Sequence, residues 1–221
     1  MNYYCFVQAR YSSKRLRGKV LKKFGNLTLL EILLKRLNKS KKIGRIIVLT
    51  SNSKEDKKII QICKKNKIDY FIGSLNNVYS RFKIAVKKYS AKKIIRICAD
   101  SPLIDWRIVD KMINLSEKFR SYDIISNVKI RTFPKGQSVE ILKSKIFELS
   151  DKLLNVDQKE HVSNFFYNSK KYKILNYQLS KDYNNFNLCV DNYNDYLLIL
   201  KLKKKKGIFD TWRSYVEELY K

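Results

Sequence analysis

Histidine occurs once in these 221 residues, and the four cysteines (Cys5, Cys63, Cys98 and Cys189) lie far apart with no CxxC pair. That scarcity excludes a zinc finger and a disulfide scaffold, and it reads as four buried thiols in a reducing cytoplasm. With two prolines and six glycines, the chain has no Pro/Gly-rich linker, and no internal repeat or low-complexity tail divides it. No uninterrupted apolar run approaches the roughly 18 residues of a membrane span, so no membrane association is expected. The opening residues carry no acid, but they lack a basic n-region, a long apolar h-region and a small-residue cleavage site; no secretory signal is expected. Acids are also scarce overall: 20 Asp and Glu stand against 48 Lys and Arg, a formal net charge of +28. Such a charge can mark a nucleic-acid partner. Here lysines recur in nearly every expected helix and turn beside Asn, Ile and Tyr, which describes a diffuse solvated surface rather than one basic stripe. Neither the phosphate-loop pattern GxxxxGK(S/T) nor the dinucleotide turn GxGxxG occurs, so bound phosphate would be held by side chains.

What is present is an alternation of short apolar runs and longer amphipathic ones, with 44% hydrophobic residues. Residues 4–9, 45–50, 69–72 and 93–99 read as strands. Helices are expected over 28–38 with Thr28 as cap, 53–66 with Ser53 as cap, and 76–89. This β-α-β-α-β-α-β order predicts a mostly parallel sheet with helices on both faces. Further on, 105–119 and 157–168 read as helices. Residues 123–127, 138–142, 172–179 and 187–191 read as strands that close the sheet, and two helices finish the chain, with Lys203–Lys206 at a helix end. A single domain over 1–221 is expected, with residues 128–183 as an excursion from the sheet.

Three places could carry chemistry. Residues 10–19 (RYSSKRLRGK) put Arg10, Lys14, Arg15, Arg17 and Lys19 directly after the first strand, where open α/β sheets hold ligands. Five cations there suit an anion such as a triphosphate, with Arg10 and Lys19 as chief contacts and Gly18 allowing close backbone approach. Asp100 ends a buried strand in CADSPLID, and Pro102 then forces an extended turn. Asp191 ends NLCVD. A strand-end carboxylate either takes magnesium, which favours one or two carboxylates plus phosphate oxygens, or caps a helix.

These residues also carry a resemblance. The segment QARYSSKRLRGKVL (8–21) resembles the opening motif of the cytidylyltransferases that make CMP-activated acidic sugars, in particular the spore-coat polysaccharide branch. The likeness continues in FIGSLNNVYSRF (71–82), IIRICADSPLID (94–105), RTFPKGQSVEIL (131–142), KEHV (159–162) and CVDNYNDYLLI (189–199). It implies a glycosyltransferase-A-like α/β fold and transfer of CMP from CTP to an acidic sugar, with magnesium and release of pyrophosphate. By that similarity Arg10 and Lys19 match triphosphate positions, Asp100 matches a catalytic position, and Asp100 and Asp191 match the metal ligands. Gln8 and Ala9 would lie by the cytosine. Arg81 and Arg96 match basic positions for nucleotide or sugar acid, and Glu140, Glu160 and His161 fall to the substrate. His161 reads equally well as a helix residue satisfied locally. The chain departs from the family pattern at Ser12 and Ala99, where glycine is usual, and at Asn76, Asn77, Ser80, Ser138, Asn187, Asn192 and Asn194. The resemblance also implies a homodimer working in cell-surface polysaccharide synthesis. Rival readings are a nucleotidyltransferase acting on a sugar phosphate or another phosphorylated alcohol, a basic nucleic-acid-binding module, and a non-catalytic relative.

Overall fold

The strand expected first in the chain lies inside the sheet, between two others. In the computed structural model, which describes residues 3–220, β1 (Tyr3–Gln8) sends Cys5 and Val7 into one apolar cluster and Phe6 into another, all fully buried. That alternation is the two-residue repeat of a strand buried on both faces. After it come β2 (Lys23–Phe24), β3 (Leu27–Thr28), α1 (Leu29–Leu37), β4 (Ile43–Ser51), α2 (Lys57–Lys65), β5 (Asp69–Gly73), α3 (Val78–Lys88), β6 (Lys93–Cys98) and α4 (Trp106–Lys118). The second half adds β7 (Ile124–Ser126), β8 (Glu140–Lys143), α5 (Val156–Glu160), α6 (Asn164–Asn168), β9 (Ile174–Asn176), α7 (Tyr193–Lys205) and α8 (Trp212–Leu219).

Seven strands share a sheet in the order β5-β4-β1-β6-β8-β7-β9. β4 and β6 flank β1 in parallel and β5 runs parallel to β4, whereas β8 is antiparallel to both β6 and β7, and β9 is parallel to β7. The expected α/β class therefore holds, mostly parallel with β8 reversed. α1, α4 and α8 cover one face through Leu30, Leu33, Val109, Met112 and Tyr215, and α3 and α6 cover the other through Val78, Phe82 and Phe166. Among the described residues, no helix is long and apolar enough to cross a membrane.

Several local expectations are corrected. Residues 187–191 form no strand; their only ladder contact is a bridge between Lys135 and Asn187. The apolar alternation there comes from Leu188 and Val190, which are buried beside the sheet. The helix expected at 157–168 breaks between α5 and α6, where the His161 amide donates to Asp157 and the Asn164 amide to His161. α2 starts at Lys57 rather than directly after Ser53; Ser53 Oγ does accept from the Asp56 amide at 3.3 Å, but the turn between them is not yet α-helical and the Asp56 carboxylate goes to Thr50 and Ser51, so no reciprocal box forms. The segment 128–183 leaves the sheet only in part, since β8 and β9 belong to it. The small β2–β3 hairpin lies where a plain loop is expected.

Two polar side chains on α1 fix its neighbours. Thr28 and Glu31 form a reciprocal cap: Thr28 Oγ1 accepts from the Glu31 amide at 3.2 Å, and the Glu31 carboxylate accepts from the Thr28 amide at 2.7 Å. Lys65 Nζ at 3.2 Å and Asn66 Nδ2 at 3.3 Å reach the other oxygen of Glu31, tying α1 to the end of α2. Burial opposes ionisation of this carboxyl, but the Thr28, Asn66 and Lys65 donors outweigh it and pull its pKa down to about 2. Arg36, fully buried, spreads its guanidinium over backbone carbonyls: Nε to Ile104 at 2.7 Å, Nη2 to Asp210 at 3.0 Å, and Nη1 to Ile208, with the Tyr215 hydroxyl 3.2 Å away. Burial lowers its pKa from the ordinary arginine value.

Glu31→Ala should cost about 1–2 kcal/mol of stability near neutral pH through loss of the cap and its buried partners. Because the folded pKa of Glu31 is depressed, its charged contribution is complete above the ordinary value of 4.5 and is lost as pH falls towards about 2. Urea denaturation of both proteins along that acid series should show the stability gap narrowing; a gap that widens on acidification contradicts the assignment.

Candidate active site

The cationic loop after β1 is closed on itself before it reaches any ligand. The Tyr11 carbonyl accepts from the amides of Ser13 and Gly18, both at 2.8 Å. Gly18 has φ 68°, and a Cβ there would lie 2.7 Å from a Tyr11 ring carbon, so glycine is the residue that lets the loop close. Asp56, fully buried, pins the other side: its carboxylate accepts from the Tyr11 amide at 2.7 Å, Thr50 Oγ1 at 3.0 Å, the Ser51 amide at 3.0 Å and Ser51 Oγ at 2.5 Å. Lys19 then opens a short 3₁₀ turn (Lys19–Leu21) with its side chain largely buried.

The Lys19 ammonium sits 3.0 Å from Asp100 Oδ2 and 3.0 Å from Asp191 Oδ1. Backbone brings the two aspartates together, since the Val190 amide donates to the Asp100 carbonyl at 2.8 Å. Gly136, at φ 88°, permits this approach: a Cβ there would lie 2.6 Å from the Leu188 carbonyl. Arg15 adds a second cation, 2.9 Å from Asp191 Oδ1. Burial alone would lower the Lys19 pKa, but Asp100 and Asp191 outweigh it and hold the ammonium above its ordinary value. Cys189 Sγ and one oxygen from each aspartate lie within 4.8 Å of one another. Burial, with the two carboxylates adding to it, pushes this thiol well above its usual range.

Around this cluster lies a cleft of about 990 Å³, lined among others by Gln8, Arg10, Ser12, Lys14, Arg15, Lys19, Leu75, Asn76, Arg96, Asp100, Val156, Glu160, His161 and Asp191. Arg10 is ion-paired with Glu160. His161 is mostly exposed, with Nε2 3.6 Å from Asp157 Oδ1. Arg96 pairs with Glu140 and donates through Nη2 to Gln8 Oε1 at 3.1 Å. Burial works against the Arg96 charge, yet the neighbouring Cys98 and Glu140 groups raise its pKa above the ordinary value.

Three of the expected contacts do not line the cleft. Ala9 is in the core, and its amide donates to the Leu49 carbonyl at 3.0 Å, so its N–H is spent on β4. Arg81 is fully buried, with Nε 2.9 Å and Nη2 2.5 Å from the Ser74 carbonyl and Nη2 3.3 Å from that of Leu75. Burial pushes its guanidinium down to about 10. It holds the loop that carries Leu75 and Asn76. Glu140 is almost fully buried behind Arg96 and accepts from the Tyr167 hydroxyl. The cysteine reading is corrected as well: Cys5 and Cys63 are buried, but Cys98 and Cys189 are partly exposed, and Cys98 lines the cleft. Sequence reasoning misses Asp56, Tyr167, Leu75 and Val156. Only Asp56 has a sequence signal, and its spacing after Ser53 suggests a cap. Asn77 and Asn192, two departures from the family pattern, serve as N-caps of α3 and α7.

Asp100 and Asp191 could hold a metal ion. The Lys19 ammonium shows that the point between their oxygens already stabilises a cation. Two carboxylates suit magnesium, which completes its shell with phosphate oxygens and water. The Cys189 sulfur is a soft donor, which magnesium does not favour.

A family model described as cytidylyltransferase matches residues 4–206, a span that includes every residue of this site. An uncharacterised protein of Methanocaldococcus jannaschii is 37% identical over 203 residues, covering 90% of this chain and 82% of the relative. The spore coat polysaccharide biosynthesis protein SpsF of Bacillus subtilis is 29% identical over 211 residues, covering 91% of this chain and 86% of that protein. The solved structure of a cytidylyltransferase from Leptospira borgpetersenii superposes with a TM-score of 0.94 at 30% identity, covering 100% of this chain and 94% of that one. The chain belongs to the cytidylyltransferase family and is a nucleotidyltransferase.

Proposed function

We propose that this enzyme transfers CMP from CTP to an acidic sugar, releasing pyrophosphate, in the synthesis of a surface polysaccharide. The observation that carries the reading is the meeting of Lys19, Asp100 and Asp191 at 3.0 Å contacts, from three distant parts of the chain, beneath a loop of cations. The motif likeness to enzymes that make CMP-activated acidic sugars supports the acceptor class, and the Bacillus relative supports the polysaccharide setting.

The acceptor hydroxyl gives up its proton to solvent as its oxygen attacks the α-phosphorus of CTP, the bond from that phosphorus to the bridging oxygen breaks, and pyrophosphate leaves with the electron pair. Such transfers depend on positioning and on neutralising charge rather than on covalent chemistry by the protein. Arg10, Lys14, Arg15 and Lys19 line the cleft where that charge must be met. Lys19 and Arg15 are paired with the aspartates, and Arg10 with Glu160. Triphosphate binding there exchanges carboxylate partners for phosphate oxygens. Asp100 and Asp191 would hold magnesium, whose charge screens the phosphates and polarises them towards attack. The closed 11–18 loop keeps the cations in place without a glycine-rich phosphate loop.

Asp100→Asn should lower kcat at least about 100-fold, the scale of losing one aligned charge contact in a transition state. Its melting temperature should stay within about 4 °C of the wild type. The assay is pyrophosphate release with CTP, magnesium and a panel of octulosonic and nonulosonic acids, run beside sugar phosphates. Turnover near the wild-type rate in Asp100→Asn removes the aspartate from the mechanism. Release with a sugar phosphate and with none of the acids replaces the acceptor class.

A further inference from the structure

We propose that Gln8 selects cytosine over uracil, and that a buried chain of Tyr167, Glu140 and Arg96 holds it in the orientation that does so. The proposal rests on the CTP-dependent reading above and goes on to name how the base is chosen.

A guanidinium has donors and no acceptor. The Gln8 atom 3.1 Å from Arg96 Nη2 is therefore the carbonyl oxygen, and the amide NH2 must face away from Arg96. Gln8 lines the cleft, and no acceptor among the described residues bonds that NH2. Arg96 is not free to turn. Its Nη1 is paired with Glu140, which is 3% exposed; the other Glu140 oxygen accepts from the Tyr167 hydroxyl, which meets Ser126 Oγ at 2.7 Å. Four elements, β6, β8, α6 and β7, thus fix one amide, and the ligand meets Gln8 as a donor.

Charge decides which part of the substrate lies there. Arg96 is neutralised by Glu140 in a buried pair, while Leu75 and the exposed Val156 add apolar lining. A region whose one cation is locked in a buried pair, with apolar lining, suits a neutral ring with a polar edge; the triphosphate belongs with Arg10, Lys14, Arg15 and Lys19. On the pairing edge cytosine offers two adjacent acceptors, O2 and N3, whereas uracil carries a hydrogen on N3. A donor fixed against N3 bonds cytosine and meets the N3 hydrogen of uracil, whereas O2 accepts in both bases and carries no choice; a polar mismatch at N3 discriminates because the donor is left unpaired.

Isothermal titration of the whole protein with CTP and with UTP, each with magnesium, reads the ratio of the two dissociation constants. The wild type should bind CTP at least about tenfold more tightly. Gln8→Glu keeps a partner for Arg96 but turns an acceptor oxygen to the cleft, so the preference should vanish or invert even if both affinities fall. Glu140→Gln and Tyr167→Phe, at positions behind Arg96, should erode the ratio in the same direction by about two- to fivefold. A merely structural role would weaken both nucleotides equally. A wild-type ratio in Gln8→Glu overturns the selection, and an unchanged ratio in both Glu140→Gln and Tyr167→Phe overturns the positioning chain. Equal wild-type affinity for CTP and UTP overturns the selection while pyrophosphate release from CTP leaves the enzyme reading standing; binding of neither nucleotide overturns both.

Discussion

An ammonium held between two carboxylates is the constraint around which this site is organised. Lys19, Asp100 and Asp191 lie at the edge of a mostly parallel sheet, and each would be costly to bury alone. Together with Arg15 they form a cluster whose formal charges cancel. That balance leaves nothing in the cluster spare for a triphosphate. An arriving nucleotide must either bring a cation or take one from an aspartate. The same arrangement explains why the cationic loop needs no glycine-rich turn: its shape comes from the Tyr11 carbonyl and the Asp56 carboxylate, and its charge from side chains.

The fold serves this cluster by register. Gln8 on β1 lies opposite Cys98 on β6, so the strand ends come level where Arg10 and Asp100 follow. The reversed strand β8 brings Glu140 opposite Arg96, placing an acid behind a cation that would otherwise face the ligand unpaired. The result is a cleft with one end where partly exposed charges lie close together and another where a buried pair locks them.

Much of this is legible in the residues. The alternation of apolar strands and amphipathic helices through residue 99 follows directly from burial on both faces of a sheet, and Thr28 and Asp105 behave as caps because their side chains meet orphan amides. Arg10, Lys19, Asp100 and Asp191 stand out because a charge that closes an apolar run adds nothing to the packing of the strand it ends. Burial without periodicity is not legible. Leu188 and Val190 mimic a strand because they fill a gap beside one, and Arg81, Glu140 and Ala9 read as ligand contacts although tertiary packing turns each towards the protein. Asp56 misleads for a similar reason: an acid three residues after Ser53 resembles the second half of a capping box, and only the fold brings Tyr11 to it.

Arg36 has a consequence for how the C-terminal segment can vary. The family match ends at residue 206, yet the guanidinium of Arg36 reaches the carbonyls of Ile208 and Asp210 as well as that of Ile104, four residues beyond Asp100. Carbonyl acceptors are supplied by any amino acid. At residues 208 and 210 nearly any sequence can therefore satisfy the buried charge, provided the backbone follows the same path, and divergence there leaves the support beneath the turn after Asp100 intact.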